Sequence, residues 1–237
     1  MKRRDGLLAA AACSGALCSP LLAWAQPKAS PVGEIKPLGQ DRYQIGKLIV
    51  DKAARSFMVP GRVHALGKPL EYLATSPGGM KAYETLFEVD ASGSEFNLAC
   101  ILIGLERDPR HVAERRSSRG PLLGPRVSIF VAWTEDGKRR RVSAVEALLN
   151  PEADVKPESV EWVYAGAPAN DTQGRFAADV TGTLIGFKPD ENNVIESAVG
   201  LGIGAYGSIR GHAKLPANGS AIELIVEAQA APKSPPK

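Results

Sequence analysis

The chain has 237 residues, of which 44% are apolar, and a formal net charge of +3. That length suits one domain or two small ones, and that apolar content suits a globular protein with one sizeable core. Three basic residues and one acidic residue lie in the export segment described next, which leaves 26 basic and 25 acidic residues. This near-neutral balance gives no reason to expect a nucleic-acid-binding protein.

Residues 1–25 have the features of a secretory signal peptide. Residues 2–4 are basic, residues 7–22 are largely apolar, and residues 23–25 (Ala-Trp-Ala) form a small-x-small cleavage site. We therefore expect an exported protein that begins at Gln26 and is located in the periplasm. We expect no transmembrane segment after cleavage.

The same segment leaves two alternatives open. Residues 3–7 (Arg-Arg-Asp-Gly-Leu) resemble a twin-arginine signal, although glycine stands where a bulky apolar residue usually follows. A lipid anchor at Cys13 or Cys18 is disfavoured, because leucine directly precedes Cys18 and Cys13 would leave a very short apolar run. Cleavage leaves Cys100 alone, so we expect no internal disulfide. We interpret Cys100 as a small core residue, and one thiol is too few for an iron–sulfur cluster.

Short apolar segments separated by turns predict an antiparallel meander in the first half of the exported chain. Residues 26–38 contain three prolines and no periodicity, so we expect a flexible leader. The predicted strands that follow span residues 47–51, 56–60, 63–66, 70–75 and, after a Pro-Gly-Gly turn, 83–89.

A very apolar helix is predicted next. Ser92 and Glu95 form a capping box at its start, and Gly104 suits its C-terminal cap. Both of its faces are apolar, and a helix of that kind is normally buried on nearly every side. We therefore expect it at the centre of the core. The apolar residues concerned are Phe96, Leu98, Ala99, Cys100, Ile101, Leu102, Ile103 and Leu105.

The second half of the chain is again predicted to be rich in strands. Residues 106–124 are polar and predict a long surface loop, and Asp136-Gly137 favours a type I′ hairpin turn. Ser143 and Glu146 form a second capping box, which predicts a short peripheral helix ending near residue 150. The predicted strands span residues 127–133, 139–142, 160–164, 176–180, 183–187 and 221–228.

These elements predict one α+β domain over residues 39–228, mainly an antiparallel sheet with one buried helix and one short peripheral helix. Residues 229–237 are rich in alanine, proline and lysine, so we expect a disordered tail.

Several of these segments resemble the YdjY-domain family of bacterial proteins. The segments are residues 70–73 (Leu-Glu-Tyr-Leu), 81–86 (Lys-x-x-Glu-Thr-Leu), 99–105 with its glycine, 162–166 (Trp-Val-Tyr-Ala-Gly) and 176–182 (Phe-Ala-Ala-Asp-Val-Thr-Gly). The resemblance spans residues 47–187 and implies no established activity. Family members often occur beside ferredoxin-type proteins, which implies redox neighbours rather than a redox centre in this chain. Tyr83 stands where the family commonly has a histidine before the glutamate, so a function that needs that histidine would be lost here.

Neither the glycine motif nor the histidines of the sequence indicate a cofactor or a metal. Residues 202–207 match the dinucleotide fingerprint G-x-G-x-x-G, but no strand–helix–strand unit surrounds them, so we interpret them as a flexible loop. His64, His111 and His212 lack metal-ligand spacing. We expect no cofactor and no metal site, and we assign no catalytic residue.

Arginines form one candidate anion-binding patch. Acidic neighbours dilute them, so solvated surface is the default interpretation. If they converge, they would suit an acidic partner or another anionic ligand. The patch consists of Arg115, Arg116, Arg119, Arg139, Arg140 and Arg141.

A second candidate is a small polar site formed by Lys81, Glu84 and Asp179. A carboxylate in an apolar segment must be paired or hydrogen-bonded if it is buried. We expect Glu84 to be at least half buried and bonded to Lys81 or to the amides of Gly78 and Gly79. Such a cluster is either structural or functional.

We therefore expect an exported, non-enzymatic binding or accessory module that serves a redox or cell-envelope assembly. Its partner would be an unknown protein or an anionic ligand. The alternative is an exported hydrolase or transferase that uses Glu84 or Asp179 as a general base.

Overall fold

The computed structural model describes residues 32–108, 121–149, 160–166, 175–187, 190, 192–199 and 209–230. Several sequence-based predictions lie outside these residues. They are the signal peptide, Arg115, Arg116, Arg119, His111, the glycine motif at 202–207 and nearly all of the C-terminal tail.

Strands dominate the described part of the chain. They are β1 (Ile35–Gly39), β2 (Arg42–Ile45), β3 (Leu48–Asp51), β4 (Ser56–Val63), β5 (Tyr72–Thr75), β6 (Thr85–Val89), β7 (Arg126–Glu135), β8 (Lys138–Ser143), β9 (Leu148–Leu149), β10 (Trp162–Tyr164), β11 (Thr183–Gly186), β12 (Ile195–Ser197), β13 (Arg210–Gly211) and β14 (Ala221–Ala228). The helices are α1 (Gly93–Leu102) and α2 (Ala177–Thr181), with a 3-10 turn at Ala82–Glu84. Strand β1 begins within the segment that we expected to be the leader.

Eight of the strands close into a barrel. Their order is β4, β14, β7, β10, β12, β11, β5 and β6, and β6 pairs with β4 to complete the ring. The neighbours are antiparallel except for β5–β6 and β11–β12, which are parallel. A meander of β1, β2 and β3 continues from β4, β8 forms a hairpin with β7, and β9 pairs with β13.

The predicted α+β class, a mainly antiparallel sheet with one buried and one peripheral helix, is therefore wrong. The protein is mostly β and built on a closed barrel. Local alternation indicates where strands occur, but it does not indicate which edges meet. The closing pair joins residues 61–63 to residues 87–89, and β14 inserts between two strands that are far from it in sequence.

The barrel interior is apolar. Its lining comes from alternate residues of neighbouring strands, as the period of two in a β-strand requires. Examples that pair across β4, β14 and β7 and are at most 2% exposed are Phe57, Val59, Leu224, Val226, Ile129 and Val131.

Helix α1 packs against strands of the barrel and against β3. The capping box of Ser92 and Glu95 starts it as predicted, and Gly104 takes the left-handed conformation just beyond it (φ +84°). Phe96 packs edge-on against Phe57 of β4, with ring centroids 5.1 Å apart. The Tyr164 hydroxyl of β10 donates a hydrogen bond to the side-chain carbonyl of Asn97 (2.8 Å).

The helix is buried on one side only. Phe96, Ala99 and Cys100 are fully buried, whereas Ile101 is half exposed. The prediction that α1 lies at the centre of the core is therefore wrong. The strands of the barrel pair with one another in a closed ring, and α1 packs against them with one face.

Other local predictions were also wrong. Residues 83 and 84, expected at the start of a strand, belong to the 3-10 turn at Ala82–Glu84, and residues 64–66, also expected in a strand, follow the end of β4. Residues 144–147 form a turn instead of a peripheral helix: the Ser143–Glu146 bonds are present, but the chain continues directly into β9, which pairs with β13. A strand was expected over residues 176–180, but residues 177–181 form α2, which ends at Gly182 in the left-handed conformation (φ +75°). No helix among the described residues is long and apolar enough to cross a membrane.

Candidate functional site

The segment between β5 and β6 is a rigid turn that projects side chains into solvent. The amides of Ser76 and Met80 donate to the carbonyls of Gly182 and Thr181, both at 2.8 Å, which fixes the turn to the end of α2. A Cβ on Gly182 would lie 2.6 Å from the Cα of Gly79, so this approach requires glycine.

Three long side chains of this segment reach solvent and form what we call the turn surface: Met80, Lys81 and Tyr83. Met80 is 67% exposed and Tyr83 is 60% exposed. The Lys81 ammonium donates to the Tyr83 hydroxyl (3.2 Å) and lies 5.5 Å from the centroid of the Tyr83 ring. A cation at this distance from an aromatic face is weakly attracted to it, so the two side chains are held together.

The structure brings two of the three predicted polar residues together. Lys81 Nζ lies 2.6 Å from Glu84 Oε1, and Glu84 is buried. This hydrogen bond, followed by the one to Tyr83, raises the pKa of the Lys81 ammonium above its ordinary value. Lys81 is therefore a cation that partly covers a buried carboxylate.

Asp179 has other partners. It lies on α2 and accepts hydrogen bonds from the Ser94 amide (2.8 Å) and the Ser94 hydroxyl. Ser94 is in the first turn of α1, where a carboxylate is favourable because the helix leaves amide groups unpaired there. Asp179 therefore ties α2 to the start of α1 and belongs to a different hydrogen-bonded group from Lys81 and Glu84.

The sequence analysis missed a buried carboxylate directly beneath the turn. Glu88 of β6 is 3% exposed, and its Oε1 accepts a hydrogen bond from the Gly78 amide (3.0 Å). Its Oε2 accepts a hydrogen bond from Arg62 Nη2 and lies 3.2 Å from His64 Nδ1. Glu88 therefore connects the turn to β4 and to the residue that follows it.

A sequence signal for this group exists, but it depends on the strand register. Arg62 and Glu88 are directly opposite each other in the β4–β6 pair. Opposite charges facing each other across antiparallel strands are a stabilising combination. That pair closes the barrel, so the signal could be interpreted only after the closure was known.

The described part of the candidate arginine patch is neutralised residue by residue. Arg139, Arg140 and Arg141 lie on β8, and their distances to carboxylate oxygens are 2.6, 3.0 and 2.6 Å. The partners are Glu223, Glu135 and Glu227, respectively. These arginines therefore do not converge on a common anion site.

The remaining nucleophile and metal candidates have structural surroundings. Cys100 is fully buried, and burial raises the pKa of its thiol well above the ordinary value, as expected for a core residue. His212 accepts a hydrogen bond from the Lys214 amide through Nδ1 (3.0 Å). Across the described ranges, no three His, Cys, Asp or Glu side chains are grouped so that they could hold a metal ion.

The framework that carries this site is a closed barrel with a helix packed against it and a hydrogen-bonded turn between β5 and β6. The family model of the YdjY domain matches residues 48–227. The chain belongs to the YdjY domain family, which confirms the resemblance noted in the sequence. No curated protein and no solved structure matches the chain significantly.

Proposed function

We propose that the protein is an exported, non-enzymatic binding or accessory module that contacts a partner protein through the turn surface. One observation carries the proposal: a turn held on both sides by hydrogen bonds presents the Met80 and Tyr83 side chains to solvent.

Rigidity is the first argument. Binding costs less when the contacting groups are already ordered, because fewer rotamers and backbone states are lost on association. The turn is bonded to Thr181 and Gly182 on one side and to Glu88 on the other. A partner would therefore meet a preformed surface.

Residue type is the second argument. Tyrosine and methionine are enriched in protein interfaces, and tyrosine is enriched among the residues that carry most of the binding energy. Large apolar side chains exposed singly are ordinary on protein surfaces. Here the two side chains lie three residues apart on one fixed turn, beside the Lys81 cation.

The carboxylates that an enzyme would use favour this proposal over the alternative. A general base must reach the proton that it abstracts. Both oxygens of Asp179 already accept hydrogen bonds from Ser94, and Glu84 is buried against Lys81. These bonds give both carboxylates a structural role.

Export is the part of the proposal that rests on residues 1–25. The basic, apolar and small-x-small sections suit a cleaved signal. N-terminal sequencing of the protein from its native host is expected to begin at Gln26. Recovery of the intact Met1 form in the cytoplasm would contradict export, and a lipid-modified N-terminal cysteine would indicate an anchored form. An exported protein would serve an assembly in the cell envelope. A redox protein is one candidate partner there, because members of the family often occur beside ferredoxin-type proteins.

Photo-cross-linking tests the binding role. A photoreactive residue is placed at position 83 in the native host, and the matched control carries it at Lys138, which is exposed in the β7–β8 turn region. We expect one discrete adduct from position 83 and none from position 138. Met80→Ser in the same background is expected to remove it. Absence of an adduct at position 83, or the same adduct from both positions, would contradict the proposed function.

A further inference from the structure

Beside the turn, cations cover carboxylates. Glu88 and Glu84 have side chains only 3% and 10% exposed, whereas Arg62, Lys81 and His64 are 51%, 37% and 32% exposed. An approaching molecule therefore meets the basic groups first. The carboxylates lie behind them and hold them in place.

Arg62 keeps most of its hydrogen-bonding capacity. A guanidinium group has five N–H donors in a planar fork, which fits a carboxylate with two parallel bonds. Arg62 Nη2 donates to Glu88, and half of the side chain remains exposed. His64 Nδ1 lies 3.2 Å from the same Glu88 oxygen, on the same side of the carboxylate as Arg62 Nη2.

We propose that Arg62 is a subsite for a carboxylate side chain from an acidic segment of the partner protein, with Glu88 as the positioning residue. The inference rests on the proposed function, because the turn surface supplies the neighbouring contacts. Gly78, which bonds Glu88, lies two residues before Met80. The segment would place its acidic group on Arg62 and an adjacent apolar group on Met80 or Tyr83.

The charge balance favours a peptide carboxylate over other anions. Arg62 and Lys81 are each paired with a buried carboxylate. The positive groups therefore face solvent, but the net charge of the surface is small. Anionic membranes attract clusters of uncompensated basic residues. A free inorganic anion would make no use of Met80 and Tyr83. A singly charged side chain next to an apolar one matches both features.

Titration of the ¹⁵N-labelled protein with two synthetic peptides tests this inference. One is acetyl-Glu-Glu-Leu-Glu-Glu-amide, and the other has glutamine in place of every glutamate. The acidic peptide is expected to shift the amide signals of Arg62, Gly78 and Met80. Its affinity for Arg62→Gln is expected to be about tenfold lower than its affinity for the parent, which is the effect of losing one charge-assisted hydrogen-bonded pair. The control variant is Arg140→Gln, whose arginine is similarly exposed and paired with Glu135; its affinity should match that of the parent.

A conservative variant guards against a folding artefact. Arg62→Lys keeps the charge opposite Glu88 but loses the planar fork, so we expect an intact spectrum and an affinity between those of the parent and Arg62→Gln. Equal binding by the parent and Arg62→Gln would overturn the subsite. So would equal binding of the acidic and glutamine peptides, or displacement of the acidic peptide by inorganic phosphate or by anionic lipid vesicles at matched charge.

Failure of the subsite and failure of the binding role give different results. If the adduct from position 83 persists in Arg62→Gln and the acidic peptide does not bind, the partner is recognised without this carboxylate contact. In that case the subsite is wrong and the binding module stands. If position 83 gives no adduct, the binding role itself is contradicted.

Discussion

Two regions of the molecule pair cations with carboxylates, and they differ in which partner is buried. On β8, the side chains of Arg139, Arg140 and Arg141 are 44% to 58% exposed, and those of their carboxylate partners are 35% to 47% exposed. Beneath the turn, the Glu84 and Glu88 side chains are at most 10% exposed, whereas Arg62 and Lys81 reach solvent.

The difference shows that a run of basic residues is a poor guide to a site. Exposed pairs contribute little, because water and salt screen both charges and two long side chains must be ordered. A buried carboxylate has no water to hydrogen-bond with and must be bonded within the protein. The β8 run is conspicuous in the sequence and ordinary in the structure, whereas the reverse holds for Glu88.

Glu88→Ala is expected to give the largest effect. It leaves the Gly78 amide and the Arg62 guanidinium without the carboxylate that accepts from both of them. Loss of a buried acceptor costs about 1–3 kcal/mol of unfolding free energy. Urea unfolding measures this, with Glu227→Ala on β14 as the control at about 0.5 kcal/mol or less. Equal losses in both variants would remove the distinction between the two regions.

Asp179→Ala is expected to give the next largest effect. It removes the acceptor for the Ser94 amide and hydroxyl at the start of α1. Helix-start acceptors of this kind contribute about 0.5–2 kcal/mol. Asp179→Asn retains an oxygen acceptor and is expected to lose less. Thermal melting of both variants is the measurement, and unchanged melting of Asp179→Ala would show that α1 does not depend on α2.

Glu84 and Lys81 predict a dependence on pH at the alkaline end. Because the pKa of Lys81 is raised in the folded state, its stabilising contribution is fully present below the lysine's unfolded pKa and is lost as the pH rises through the folded one. The parent should therefore lose more unfolding free energy than Glu84→Gln between neutral and strongly alkaline pH. Parallel urea curves at both pH values provide the measurement. Identical losses would mean that the ion pair does not contribute.

Arg140→Ala is expected to give the smallest effect. Both members of its pair with Glu135 are about half exposed, so the unfolding free energy should change by about 0.5 kcal/mol or less. Molar salt should reduce even that difference, since surface charges are screened over a few ångströms at that concentration. Urea unfolding at low and high salt is the test. A loss comparable with that of Glu88→Ala would contradict the comparison.

Local features were predictable because neighbouring residues determine them. The two-residue turn at Asp136 and Gly137, with positive φ at both positions, follows from that dipeptide. The start of α1 follows from Ser92 and Glu95, and β14 was predicted with its observed bounds.

The remaining features depend on contacts between distant segments. Barrel closure needs β4 to meet β6, and only that register places Glu88 opposite Arg62. The Ser143–Glu146 bonds form as predicted, yet pairing of β9 with β13 limits the segment to one turn. Lys81 and Glu84 are close in sequence and meet, whereas the partner of Asp179 is 85 positions away.

The position of β14 has a consequence for how the chain folds. It pairs on one side with β4 and on the other with β7, so the barrel cannot close until residues 221–228 are available. Until then, two strands formed from much earlier segments have open edges, which are templates for mispairing. Pairings over such long sequence separations form slowly. The barrel must therefore be completed late, after nearly the whole described chain has been synthesised, and the edges of β4 and β7 stay unpaired until then.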